Sequence, residues 1–173
     1  MIVRSIAVLA VAGVLAGCTA ERTVVRPAVP LAAMLSGASQ QADDGSLLLL
    51  DRLGEPRRVE AEPVENRHVP GQVDTLRTLV WDGLEVEVYA VADGRELLRE
   101  VRVTGAGYET AEGLRVGSTR AEVREAFGAP AHAEGDAATY EVRDAPDDPT
   151  PTQLRVRYDG DRVAAMVWSY YVG

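Results

Sequence analysis

Between Gly117 and Pro130 the chain reads GSTRAEVREAFGAP, and its apolar residues Val123 and Phe127 recur four apart, as one stripe of a short helix requires. Thr119 fits the N-cap, with Glu122 three residues on. The hydroxyl accepts from the third helical N–H while the carboxylate reaches back to the N-cap N–H, so two orphan donors are satisfied together. Gly128 supplies the left-handed stop and Pro130 prevents resumption, so the pattern predicts a helix over 120–127. A second short helix follows from Leu47, Leu48, Leu49, Leu50 and Leu53, closed in the same way by Gly54 and Pro56.

Elsewhere the pattern switches to β-branched and aromatic runs. Strands are predicted over Val59 to Val64, Thr75 to Trp81, Leu84 to Val91 and Glu96 to Val103, with hairpin pairs at Asp82-Gly83 and Asp93-Gly94. After Pro130 the order recurs in shortened form: Thr139 to Arg143, a Pro-rich loop over Ala145 to Pro151, Leu154 to Tyr158, the turn Asp159-Gly160, and Arg162 to Tyr171. The offset between copies is 74 residues at Gly54 and Gly128, 70 at Leu84 and Leu154, and 66 at Gly94 and Gly160. Two short loop deletions account for the drift. The sequence therefore predicts an α+β fold of two tandem units, residues 31–104 and 105–173, each a short helix over an antiparallel sheet. One such unit is too small to be comfortable alone, so the two sheets must pair, side by side or face to face.

The N-terminus has a different pattern. Arg4 precedes an uncharged run rich in Ile6, Val8, Leu9, Val11, Val14 and Leu15, too short to cross a bilayer comfortably and suited to a secretory signal. Leu15, Ala16, Gly17 and Cys18 resemble the lipobox of bacterial lipoproteins, which implies removal of residues 1–17 and a lipid on the Cys18 sulfur. Cys18 is the only cysteine and has no disulfide partner. Residues 18–30, with Pro27 and Pro30, are expected to form a tether, followed by a helical turn over Leu31 to Leu35 and a polar loop from Ser36 to Gly45. Thr19 is not the Asp that resembles an inner-membrane retention signal. The expectation is an envelope protein in the outer membrane facing the periplasm, or at the cell surface where no outer membrane exists.

Charge narrows the partners. The chain has 27 acidic against 18 basic residues, a net charge of −9, and every Lys-or-Arg residue is Arg. No basic patch with interleaved aromatics appears, so nucleic acid is not an expected partner. The lack of lysine fits codon usage in a GC-rich genome, with salt adaptation as the alternative.

Catalytic signals are missing from the pattern. His68 and His132 stand beside loop residues with no neighbour at ligand spacing, and no nucleophile elbow or phosphate-binding loop occurs. The pairs Asp43-Asp44 and Asp147-Asp148 read as solvated loop charge. The expectation is a non-enzymatic protein without metal or cofactor.

Binding candidates come from strand alternation. Glu85 and Glu87 share one face of a strand whose other face carries Leu84, Val86 and Val88; in the second copy Arg155 and Arg157 take the same positions opposite Leu154, Val156 and Tyr158. One face is thus expected to be acidic in the first copy and basic in the second. In the last strand Val163, Ala165 and Val167 alternate with Ala164, Met166, Trp168 and Tyr170, so both faces are apolar. The helix covers one. The other is either covered by the first unit or exposed as an aromatic anchor for a partner, which makes Met166, Trp168 and Tyr170 further binding candidates.

Leu114, Val116, Gly117, Thr119, Glu122, Val123, Phe127, Gly128 and Pro130, followed by a Tyr strand and by Leu154, Val156, Tyr158, Asp159, Gly160 and Val163, resemble the SmpA/OmlA family of outer-membrane assembly lipoproteins. The same pattern is similar to one half of the β-lactamase inhibitor protein fold, a tandem repeat of helix-plus-sheet units. The SmpA/OmlA proteins resemble a single unit, and the inhibitor proteins carry disulfides that this chain cannot form. The resemblance implies a lipid-anchored protein that binds or scaffolds other proteins, with outer-membrane protein assembly as one setting. A module that inhibits an exported hydrolase, and a structural or glycan- or lipid-binding envelope lipoprotein, are the alternatives; a deep apolar pocket marks the last.

Overall fold

A computed structural model of the chain describes residues 29–30, 41–143 and 149–172. The signal segment, Cys18, the turn over Leu31 to Leu35 and Asp147-Asp148 lie outside the described residues. The elements in order are β1 (Val29–Pro30), α1 (Leu48–Leu53), β2 (Arg58–Glu65), β3 (Val73–Trp81), β4 (Leu84–Ala90), β5 (Glu96–Val103), β6 (Tyr108–Glu109), α2 (Arg120–Phe127), β7 (His132–Glu134), β8 (Ala137–Val142), β9 (Thr152–Asp159) and β10 (Arg162–Ser169).

The fold is α+β. Eight strands form one sheet in the order β2-β3-β4-β5-β10-β9-β8-β7, every neighbouring pair antiparallel. Each half is a helix followed by four strands in simple up-and-down order, and the halves meet through their last strands. Met166 lies opposite Val103 and Trp168 opposite Val101 across that seam. The strand pairing is thus that of two similar helix-plus-sheet halves set side by side. A separate parallel pair, β1 with β6, ties Val29–Pro30 to Tyr108–Glu109, so the far end of the expected tether is docked rather than free.

The helix α2 has the predicted ends. Thr119 Oγ1 accepts from the Glu122 N–H at 3.2 Å, and Glu122 Oε2 accepts from the Thr119 N–H at 2.6 Å. The Thr119 backbone and then its hydroxyl hold the Glu122 carboxyl below its ordinary range. The stop is Gly128, at φ 75°, whose N–H donates to the Arg124 carbonyl. By contrast α1 has no side-chain cap; the Leu47 N–H donates to Glu96 Oε2 on β5 at 3.0 Å, so a sheet carboxylate serves its N-terminus.

Both helices lie on one face of the sheet. Leu47 at the N-cap of α1, Leu49 within it and Val123 from α2 join a single core with Val86, Val88, Val101, Val103, Leu154, Val156, Met166 and Trp168. Phe127 stacks near Tyr140 with ring centres 5.6 Å apart, Arg120 stands 3.9 Å over the Tyr158 ring, and the Trp81 indole donates to the Gly54 carbonyl. Fully burying each large aliphatic side chain contributes about 1.5–3 kcal/mol, so the seam between the halves is among the most stabilised parts of the molecule.

The last strand departs from simple alternation. A bulge between Val163 and Ala165 puts Val163 on the same face as Met166 and Trp168, rather than with Ala165 and Val167. Strand β5 has a corresponding irregularity, where Val88 pairs with Leu98 and Glu87 with Glu100.

Candidate functional site

The sheet face opposite the helices has no helix over it among the described residues. Register places Glu85, Glu87, Glu100, Arg102, Arg155 and Arg157 on it together. Across the seam one row runs Glu85, Arg102, Val167 and Arg155, so the acidic and basic segments become one surface.

The acidic segment carries its own counter-charges. Glu85 lies 3.8 Å from Arg102, Arg102 donates to Glu100 at 2.7 Å, and Arg99 pairs with Glu87. In the second half Arg155 and Arg157 are exposed and have no ion pair among the described residues. The expected contrast between an acidic and a basic half is therefore softened, not removed: two arginines stand against Glu85, Glu87 and Glu100, exposed Glu62 at outward parity on β2 has no ion pair among the described residues, and Arg155 and Arg157 on β9 keep their positive charge without one.

Met166 and Trp168 are elsewhere. They are 0% and 5% exposed and point toward the helices, covered on that face by the common core, and so offer no surface to a partner. Tyr170 is half-buried against the same core, its N–H donating to the Arg99 carbonyl. The aromatic-anchor alternative for this strand is thereby corrected, because the bulge turns its aromatic face to the inside.

His68 and His132 are exposed. No group of three or more His, Cys, Asp or Glu side chains is arranged to hold a metal among the described residues.

A feature that sequence reading missed lies at one end of the outer face. There the row Leu76, Tyr89 and Leu97 replaces the charges found farther along. Residues 66–72 between β2 and β3, and the β4–β5 turn with Val91, Asp93 and Arg95, rise on either side, enclosing a cleft of about 770 Å³. Val172 from the C-terminal segment also lines it.

Asp74 holds both walls. It is 1% exposed and accepts from Asn66 Nδ2 at 2.6 Å, Gln72 Nε2 at 2.7 Å, the Tyr89 hydroxyl at 2.7 Å and the Ala92 N–H at 2.9 Å. Burial by itself raises the carboxyl pKa, but the four donors outweigh it and bring it down to about 2. The same bond, followed by burial, pushes the Tyr89 hydroxyl up. One ionised side chain thus clasps a loop from each side of the cleft to the floor residue between them.

A readable signal for this site was the apolar residue at outward-facing parity on three successive strands: Leu76, Tyr89 and Leu97. Asp74 gives no such signal, since its donors come from three separate stretches of chain.

No protein-family model matches the chain, and no curated protein matches it. The chain is similar to the crystal structure of the uncharacterized protein yfeY from Escherichia coli, at 12% identity and a TM-score of 0.40, over 77% of this chain and 94% of that one. That likeness is too distant to inform the chemistry of either protein.

Proposed function

We propose that the chain is a non-enzymatic, lipid-anchored envelope protein of two tandem units, 31–104 and 105–173, that recognises another protein through the uncovered face of its sheet. The observation that carries the reading is the exposed pair Arg155 and Arg157, uncompensated on a face that no described helix covers. Exposed arginines without a partner retain their full capacity for bidentate bonds to carboxylates, which suits a protein surface with acidic side chains. The Leu15 to Cys18 box supplies the anchor and supports an outer-membrane, periplasm-facing placement, or the cell surface in an organism without that membrane. The SmpA/OmlA resemblance agrees with both and favours assembly of outer-membrane proteins as the setting.

The test is site-specific crosslinking in the native envelope. A photo-crosslinking residue at Gln153, exposed on β9 on the same face as both arginines, is expected to capture a defined protein that the same residue at Arg124, exposed on α2 across the molecule, does not. Introducing Arg157→Glu into the position-153 protein is expected to abolish that capture while the far-UV spectrum is unchanged. Identical products from positions 153 and 124 refute the reading. For the anchor, Cys18→Ser is expected to release the protein from membranes, and retention of the variant counts against lipidation.

A further inference from the structure

The outer sheet face is polar along most of its length, so its apolar end has to be explained. Leu76, Tyr89 and Leu97 lie side by side on β3, β4 and β5, half-buried, within the cleft walled by residues 66–72 and the β4–β5 turn. A polar outer face needs no such row for folding, because the core lies on the opposite side of the sheet. Its volume of about 770 Å³ falls in the range of small-molecule sites.

The rim is charged. Arg95 is bonded to Asp93 at 2.8 Å and Arg99 is paired with Glu87, so those two cations are satisfied. Arg67 and Glu65 also line the cleft, and neither has an ion pair among the described residues. Arg67 belongs to the 66–72 wall that Asp74 holds through Asn66 and Gln72, whereas Glu65 ends β2 opposite Val73, at the parity opposite to that of Asp74 and Leu76. The cleft therefore offers an apolar floor with one available guanidinium on its wall. That combination matches a ligand with an apolar chain and one carboxylate.

We propose that this cleft binds a single-chain anionic amphiphile of the fatty-acid class, its carboxylate on Arg67 and its chain along Leu76, Tyr89 and Leu97. The proposal does not rest on protein recognition at Arg155 and Arg157, which lie on a different strand in the other half of the sheet. Asp74 is the positioning residue, since it fixes Tyr89 and both walls through its four hydrogen bonds.

The test uses the full chain in its own membranes, labelled with a dodecanoate that carries a diazirine at the chain end. Labelling is expected on peptides containing Leu76, Tyr89 or Leu97. Unlabelled dodecanoate should compete and dodecanol should not, with competition strengthening about fourfold per methylene from octanoate to dodecanoate as each CH₂ is buried. Arg67→Glu is expected to reduce labelling at least tenfold, Arg67→Lys to restore most of it, and Arg155→Glu to leave it unchanged. Arg67 is exposed, so an unaltered thermal midpoint shows that the variant has folded. Equal labelling of Arg67→Glu overturns the proposal, as does competition by dodecanol equal to that by dodecanoate, or labelling confined to other peptides.

Discussion

Substituting Gly83 by Ala is expected to destabilise the protein well beyond the cost of its backbone conformation. Gly83 turns β3 into β4 at φ 73°, and a Cβ there falls 2.5 Å from Gly105 Cα and 2.7 Å from Gly105 N. Gly160 turns β9 into β10 at φ 57°, but a Cβ there meets nothing within 4 Å. Gly160→Ala therefore carries only the left-handed penalty, about 1–2 kcal/mol. Gly83→Ala carries that penalty and an overlap as well. Carbon atoms settle about 3.5–4.0 Å apart, so the segment after β5 must retreat by about 1 Å. That retreat weakens the bonds from the Thr104 and Gly105 N–H groups to the Gly83 carbonyl, at 2.9 and 3.0 Å. At about 0.5–1.5 kcal/mol each, their loss adds about 2 kcal/mol to the Gly83 variant alone. With a urea slope of about 1–3 kcal/mol per molar, its midpoint should fall roughly 1 M below that of Gly160→Ala. Equal midpoints for the two variants refute the close approach of Gly83 to Gly105.

Acid should weaken the protein through Asp74. Its folded pKa of about 2 lies below the unfolded value of about 3.9, so its contribution is fully present above that value and is lost as the pH falls from about 4 toward 2. A carboxyl ¹³C titration of Asp74 should centre near 2, and Asp74→Asn should remove this part of the acid dependence of the urea midpoint; a titration near 4 contradicts the four-donor geometry. The fused sheet predicts one unfolding transition for both halves. Trp81 reports on the first half and Trp168 on the second, so in Trp81→Phe and Trp168→Phe the remaining indole's fluorescence should change together with that variant's own far-UV signal; two separated midpoints exclude a shared core.

Local structure was written most plainly where one short segment determines it. The capping box and the glycine stop set α2 at Arg120–Phe127, the predicted span, and the turn pairs set β5 at Glu96–Val103. The sequence left the packing of the two sheets open because Met166, Trp168, Val101 and Val103 bury equally well side by side or face to face; the choice lies in backbone pairing, which carries no residue signature. The bulge at Ala164 was hidden for a related reason, since alanine is tolerated on either face. Strand β7 has no apolar alternation, with His132, Ala133 and Glu134 all exposed, although Gly135-Asp136 was an available hairpin signal. At the candidate surface the like-face placement of Glu85 with Glu87 and of Arg155 with Arg157 followed from parity. The compensation by Arg99 and Arg102 did not, because it needs the neighbour of β4 to be known.

The repeat makes the differences between its copies informative. In the second half β7 and β8 are joined by the tight Gly135-Asp136 turn; in the first half the equivalent strands are joined by residues 66–72. That longer connection supplies Asn66 and Gln72 to Asp74 and Arg67 to the rim, and it is what turns an open sheet end into a cleft. On β9 the position matching Tyr89 by the 70-residue offset is Asp159, so the second copy keeps neither the wall nor that part of the apolar floor. Conversely, the arginines left uncompensated are on the second copy, where their β10 neighbours Val167 and Ala165 carry no charge, whereas Glu85 and Glu87 on β4 face the charged residues Arg102 and Glu100 of β5. The elements common to both halves, helix and buried strand face, build the core. The elements that differ, a loop in one and a charge pair in the other, lie on the face the helices leave open, and each marks a separate surface available for binding.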